Sequence, residues 1–103
     1  MKRYTVTIEE RAFDDLENLV DYIFSVAGEN TVKKYYQGIM KTIYSLSANA
    51  DIYAISTYQY VLKYGSNARR INYKKMTVIY TVHDDIVVVH RVIPQSWIIS
   101  GID

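Results

Sequence analysis

Residues 68–93 have the sequence ARRINYKKMTVIYTVHDDIVVVHRVI and contain the most regular pattern in the chain. Two segments alternate with a period of two residues: Val78, Tyr80 and Val82 with Thr77, Ile79 and Thr81, and then Val87 and Val89 with Val88 and His90. This period predicts two strands that each have one well-buried face. Asp84 and Asp85 separate the strands, and their short polar side chains suit a tight two-residue turn. Such a turn would place large apolar side chains opposite each other in two cross-strand pairs, Val82 with Val87 and Tyr80 with Val89.

The charged residues are unevenly distributed, although the net charge of the 103 residues is only +1. The first 51 residues carry eight acids and six bases, whereas residues 52–83 contain no acid. The bases of this second stretch are Lys63, Arg69, Arg70, Lys74 and Lys75. Such a stretch is either a strand edge that lysines protect against pairing, or a basic face for an anionic partner, nucleic acid or acidic polypeptide.

Composition limits the chemistry that the chain can perform. There is no cysteine, which excludes disulfides and thiolate nucleophiles, and the two histidines lack an acidic cluster that would indicate zinc. We therefore expect no metal and no cofactor. The N-terminus has no signal-peptide pattern, and no apolar run approaches the ~20 residues of a membrane span. The expectation is one cytoplasmic domain covering residues 1–103, with no membrane partner.

The remaining segments predict a short strand, two helices and a variable connection. Residues 4–8 alternate like a strand, and apolar residues at helical spacing then predict a helix from Glu9-Glu10 to Gly28. A second helix is expected from Asn30 or Thr31 to Leu46. The apolar stripes of the two helices include Phe13, Val20, Phe24 and Tyr36. Residues 47–56 are expected to be a connection, residues 58–64 a further strand, residues 69–73 a basic strand, and Pro94 the end of the last strand.

The predicted fold is α+β: an N-terminal strand, an antiparallel helix hairpin, then three to four antiparallel strands that form one sheet packed on the helices. One face of the sheet is expected to pack on the helix pair. The other is expected to be uncovered, polar and partly basic, with Thr5, Thr7, Arg70, Asn72, Thr77, Thr81 and His90.

This arrangement resembles the RelE/ParE superfamily of small toxins from bacterial toxin–antitoxin modules over nearly the whole chain. Its first part is Tyr4-Thr-Val-Thr-Ile8, Ala12-Phe-Asp-Asp-Leu16 and Asp21-Tyr-Ile, with Leu46 closing the helix pair. Its most telling part is Arg69-Arg70-Ile ahead of Val78-Ile-Tyr80, Asp84-Asp85 and Val89-His-Arg-Val-Ile93. The resemblance implies a toxin that inhibits growth, serves plasmid stabilisation and is neutralised by a cognate antitoxin.

Two chemistries occur in the superfamily. RelE-like members cleave messenger RNA in the ribosome, and they resemble one another in an arginine ahead of the hydrophobic-Tyr motif and in basic, Tyr or His residues after the last strand. Here Met76 and Thr77 precede that motif, and Pro94-Gln-Ser-Trp-Ile-Ile contains none of those residues. ParE-like members inhibit DNA gyrase and need no catalytic residues of their own. The long helix hairpin is similar to theirs, although the basic pair that often follows their last strand is missing.

The candidate residues follow from these two chemistries. RNA cleavage needs proton transfer and stabilised phosphate charge, for which Arg70, Lys75, His90 and Arg91 are candidates. For binding a target or an antitoxin, the candidates are Arg69, Arg70, Asn72, Lys74, Lys75 and Trp97, because arginine can hold a carboxylate or phosphate through two hydrogen bonds. The alternatives are structural: Arg91 paired with a helix acid, solvated lysines, and Trp97 as an apolar plug.

Three functional hypotheses result. The first is the toxin subunit of a type II toxin–antitoxin pair, closer to ParE than to RelE, that binds a macromolecular target such as DNA gyrase. The second is a ribosome-dependent endoribonuclease that cuts mRNA. The third is a degenerate member that has lost toxicity and retains only antitoxin binding. The sequence leaves open whether two copies form a homodimer.

Overall fold

A computed structural model describes residues 2–100. Along the chain, the helices and strands are β1 (Thr5–Ile8), α1 (Glu10–Ala27), α2 (Glu29–Tyr44), α3 (Leu46–Asn49), α4 (Gln59–Leu62), β2 (Arg69–Tyr73), β3 (Met76–His83), β4 (Ile86–Pro94) and α5 (Gln95–Ser100). The sheet has the order β1-β4-β3-β2. β1 pairs in parallel with β4, and the other neighbours are antiparallel.

The central hairpin forms as predicted. Tyr80 pairs with Val89 and Val82 with Val87, and the turn lies at Asp84-Asp85, where Asp84 has a positive φ of 55°. A β-bulge follows in β4, because Ile79 pairs with Arg91 while Tyr80 pairs with Val89, so that His90 is the extra residue. The bulge shifts the alternation, and Val89 and Val92 both reach the core under the helices.

The helix hairpin covers one face of the sheet. The buried side chains between the two layers include Ala12, Leu16, Ile39, Ile43, Leu46, Val78, Tyr80, Val87 and Val89. α1 ends at Gly28, which has a φ of 86° and donates its N–H to the Phe24 carbonyl over 3.0 Å. α2 begins at Glu29, one or two residues before the predicted start at Asn30 or Thr31, because Gly28 is both the C-cap of α1 and the N-cap of α2. The fully buried Tyr80 hydroxyl donates to the Ala50 carbonyl over 2.7 Å, and burial raises its pKa.

The prediction of a strand at residues 58–64 was wrong. Residues 59–62 form the helical turn α4, and Leu46–Asn49 within the expected connection form α3. Tyr60 and Val61 are adjacent in sequence, and the helical turn buries both of them. They belong to a second, smaller core on the other face of the sheet, which also contains Ala68, Ile79, Ile93 and Ile98, with Trp97 packed against it.

The expectation of an uncovered second face was therefore wrong for part of its residues. α4 and α5 fold over this face, and Thr77 and Thr81 are fully buried there. Thr5, Thr7 and Asn72 remain exposed, whereas Arg70 and His90 are half-buried. The reason is that Ile79 and Ile93 point away from the helix hairpin, and their apolar surface must be covered by a further layer.

Gly38 allows α2 to approach β2 closely, because a Cβ atom at this position would overlap the phenol of Tyr73. We expect Gly38→Ala to lower the free energy of unfolding by about 1–3 kcal/mol, as overpacking typically does. The overlap would also disturb the edge-to-face contact of Tyr73 with Tyr35, whose ring centroids are 5.1 Å apart. Urea unfolding measures the change. A Gly38→Ala protein as stable as the parent would contradict this prediction. In a Tyr73→Ala background, where the phenol is absent, Gly38→Ala should cost much less stability.

Candidate functional site

Arg91 lies in a buried ion pair with Asp15 of α1. Its Nε and Nη2 donate to Asp15 Oδ2 and Oδ1 over 2.8 and 3.1 Å, and its Nη1 donates to the Tyr64 hydroxyl over 3.2 Å. Asp15 Oδ2 also accepts the backbone N–H of Val92 over 2.9 Å. Val92 lies in the part of β4 that follows its pairing with β1. The hydrogen bond to Asp15 raises the pKa of Arg91 further above its usual range. Only 5% of Arg91 is exposed, so its guanidinium is enclosed by the protein.

His90 belongs to a chain of hydrogen bonds on the second face of the sheet. Its Nδ1 lies 2.5 Å from Glu9 Oε1, and its Nε2 lies 2.7 Å from the hydroxyl of buried Thr81. The same hydroxyl lies 2.7 Å from Nε2 of His83. A carboxylate only accepts hydrogen bonds, so neutral His90 carries its proton on Nδ1 and accepts the Thr81 proton. His83 must then donate from Nε2.

We expect Thr81→Val to remove both of these bonds and to lower the free energy of unfolding by about 1–3 kcal/mol, since each hydrogen bond usually contributes about 0.5–1.5 kcal/mol. Thr81→Ser retains the hydroxyl and is the control. Long-range ¹H–¹⁵N spectra at alkaline pH should show the Nδ1–H tautomer of His90 and the Nε2–H tautomer of His83. The opposite tautomer of His90 would rule out the hydrogen-bond direction assigned here.

Arg69 and Arg70 are neighbours on β2 but have different surroundings. Arg69 Nη1 donates to the backbone carbonyls of Asp51 and Tyr53 over 3.1 and 2.5 Å, which fixes the connection before α4 to the sheet. The Arg70 guanidinium lies over the exposed Tyr58 ring, 5.3 Å from its centroid, and reaches the Asn72 side chain over 3.4 Å. Arg70 and Asn72 also line an open cleft with Lys41 of α2. Arg70 and Asn72 are therefore available to a partner, whereas Arg69 is not.

Lys74, Lys75 and Trp97 line two adjoining clefts, the lysines one and Trp97 the other. The two lysines form the exposed turn between β2 and β3, and they line a cleft with Leu19, Tyr22 and Ile23 of α1, together with Tyr35 and Met76. A second cleft shares Leu19, Tyr22 and Met76 and continues to Pro94 and Trp97. Residues that are more than 70 positions apart in the sequence, Tyr22 and Trp97, thus border one surface.

The helix hairpin presents an apolar groove that sequence reasoning missed. Phe13, Leu16, Glu17, Val20 and Tyr36 line one part, and Val20, Val32, Lys33, Tyr36 and Gln37 line the other. We call these residues the helix-hairpin groove. Phe13 is 52% exposed and Tyr36 44%, and Phe24 on the same side of α1 is 57% exposed. The helical spacing predicted that these side chains are buried. The signal that could have revealed the groove is the width of the apolar stripe, which one sheet face cannot fully cover.

Residues 2–100 contain no group of three or more His, Asp or Glu side chains that could hold a metal ion. None of the helices within the same residues is long and apolar enough to cross a membrane.

Comparisons with known proteins agree with the resemblance seen in the sequence. Residues 6–98 match the family model described as the ParE toxin of the type II toxin–antitoxin system parDE. A solved structure titled "Chromosomal ParDE TA system from P. aeruginosa" has a similar fold, with a TM-score of 0.75 at 15% identity. The alignment covers 89% of this chain and 96% of the other. A search of curated proteins finds no match.

The family model covers most of the chain, including the helix hairpin, the central hairpin of strands and the beginning of α5. The ParE-like assignment made from the sequence is thereby confirmed. This chain belongs to the ParE family and is a toxin of a type II toxin–antitoxin system.

Proposed function

We propose that this toxin inhibits growth by binding a protein target such as DNA gyrase, and that a cognate antitoxin neutralises it by covering the helix-hairpin groove. The observation that carries the proposal is that two candidates for RNA cleavage, His90 and Arg91, are bound by other residues of this chain. Arg91 is enclosed with Asp15, and Arg69 is bound to backbone carbonyls. Arg70 lies over the ring of Tyr58, whereas His90 contacts Glu9 and Thr81.

The antitoxin part of the proposal is supported by the exposed apolar surface of the helix-hairpin groove. An amphipathic helix binds such a groove by inserting apolar side chains at three- and four-residue spacing. Phe13, Val20 and Tyr36 supply the apolar floor and walls, and Glu17 and Lys33 line the same groove with charges of opposite sign. Contiguous exposed apolar surface of this kind usually marks a protein-binding site.

Expression experiments test this proposal. Induction of the toxin alone should stop growth, and co-expression of the cognate antitoxin should restore it. With purified proteins, the toxin should inhibit supercoiling by gyrase, while mapped cellular transcripts should remain uncut. No growth defect in either case would indicate the degenerate alternative, with antitoxin binding alone. Intact gyrase activity in toxin-arrested cells would reject gyrase as the target.

The second candidate is the ribosome-dependent mRNA endoribonuclease. One contact favours it: the carboxylate of Glu9 orients the imidazole of His90, as a general acid or base requires. If this activity exists, site-specific transcript cuts should appear on induction and should disappear in His90→Gln and Arg70→Ala. The absence of such cuts in cells arrested by the parent toxin would eliminate the endoribonuclease.

A further inference from the structure

The turn between β2 and β3 presents two cations beside an apolar cleft. Lys74 and Lys75 are both exposed, and the cleft between this turn and α1 has a volume of about 360 Å³. Lys74 and Lys75 form one surface with the cleft residues, and we call this surface the lysine corner; the cleft residues are Leu19, Tyr22, Ile23, Tyr35 and Met76. Tyr22 is 65% exposed at its border.

Contacts from α5 hold the backbone of the turn, and two tyrosine rings lie near the Lys74 ammonium. Lys74 has a φ of 52°, a conformation that glycine or asparagine adopts far more readily than lysine. Gln95 of α5 donates its backbone N–H to the Lys75 carbonyl over 2.9 Å and its side-chain amide to the Lys74 carbonyl over 2.6 Å. The Lys74 ammonium lies 5.5 Å from the Tyr35 ring centroid and 5.6 Å from that of Tyr73. The turn therefore keeps a lysine at a position where its backbone is strained.

The charges around the lysine corner favour an acidic partner. Among the described residues that line this cleft and the adjoining one towards Trp97, the only carboxylate is Asp15, which is already bound by Arg91. The two ammonium groups thus have no neighbouring carboxylate within this surface. Positive charge at the border of an apolar cleft is complementary to a segment that combines carboxylates with an apolar or aromatic side chain.

No described residue lines both the lysine corner and the helix-hairpin groove. Residues advance by about 100° along a helix, so Tyr22 lies nearly opposite Phe13 and Val20 on α1. A partner confined to the groove would therefore leave Tyr22 and the two lysines free for another. We propose that the lysine corner binds an acidic, aromatic-containing segment of the toxin's protein target, an assignment that rests on the proposed function for the identity of the occupant.

A binding experiment with the full-length purified toxin tests the site itself. The probe is a synthetic peptide, DEDWLEDE, and its controls are the same peptide with lysine at every acidic position and a twelve-nucleotide oligothymidine. In ¹H–¹⁵N spectra, the acidic peptide should shift the amide signals of Leu19, Ile23 and Met76. Shifts confined to other residues, or stronger binding of the oligothymidine at this surface, would overturn the proposal.

Variants make the test specific. Lys74→Glu/Lys75→Glu should weaken the peptide about tenfold, a factor that corresponds to 1.4 kcal/mol. The turn-compatible Lys74→Asn/Lys75→Gln should weaken it less. Lys2→Glu/Lys34→Glu, at two exposed lysines that line neither the corner nor the groove, should change it little. Equal losses in the two charge-reversal variants would show that only net charge matters and would overturn the proposal.

A growth assay then separates failure of this inference from failure of the proposed function. Lys74→Glu/Lys75→Glu should lose growth inhibition and still bind the antitoxin. A variant that remains fully toxic would overturn the assignment of the corner to the target, and one that loses antitoxin binding would assign the corner to the antitoxin instead. If the parent toxin does not inhibit growth, the proposed function fails, and the assignment of the corner to a target fails with it even if the peptide binds.

Discussion

Asp15→Ala is expected to lower the free energy of unfolding by about 3–5 kcal/mol, the cost of leaving a buried charge without its partner. The substitution would remove both hydrogen bonds to Arg91 and the acceptor of the Val92 backbone N–H. Because domains are stable by only about 5–15 kcal/mol, this change would bring the toxin close to unfolding at physiological temperature. Urea titration followed by the fluorescence of Trp97, the only tryptophan of the chain, measures it.

Asp14→Ala is the matched control, because Asp14 is the adjacent residue on α1 and is exposed. We expect it to change the stability by less than about 0.5 kcal/mol. The double substitution Asp15→Leu/Arg91→Met replaces the ion pair with apolar side chains and should recover most of the loss. A loss of under about 1 kcal/mol in Asp15→Ala would show that Arg91 finds water or another partner, and it would contradict the ion-pair argument.

The second large effect is expected at the helix-hairpin groove. Tyr36 lines both parts of the groove, so Tyr36→Glu would place a charge in the middle of the apolar contact. We expect the affinity for the cognate antitoxin to fall at least about 100-fold, as for a central aromatic residue of an interface. The free toxin should remain folded, because the side chain is 44% exposed. Isothermal titration calorimetry with purified antitoxin measures the affinity.

Tyr44→Glu is the control for this prediction. Tyr44 lies on the same helix and is 51% exposed, but it lines neither part of the groove. The Tyr44→Glu variant should bind the antitoxin with the same affinity as the parent toxin. In cells, Tyr36→Glu should remain toxic in the presence of the antitoxin, whereas Tyr44→Glu should be neutralised. Equal effects of both variants would mean that the antitoxin binds elsewhere.

The location of the candidate residues could be predicted only in part. Arg70, Asn72, Lys74 and Lys75 are accessible as expected, because strand alternation and turn position fix which way short polar segments face. The roles of Arg69, Arg91 and the histidines depend on partners that are distant in sequence. Arg91 meets Asp15 across 76 positions, and no local pattern predicts which acid it reaches.

What the sequence alone determined is the central hairpin, the two long helices and the family. Each depends on local periodicity or on turn residues such as Asp84-Asp85, and family membership follows from their order. Only the tertiary structure decided that residues 59–62 are helical, because Tyr60 and Val61 bury themselves against Ile79 and Ile93 from other elements. The same holds for the surfaces. The groove and the lysine corner exist because packing left Phe13, Tyr22 and Tyr36 uncovered, and exposure depends on what other segments cover, which residue spacing along one helix does not specify.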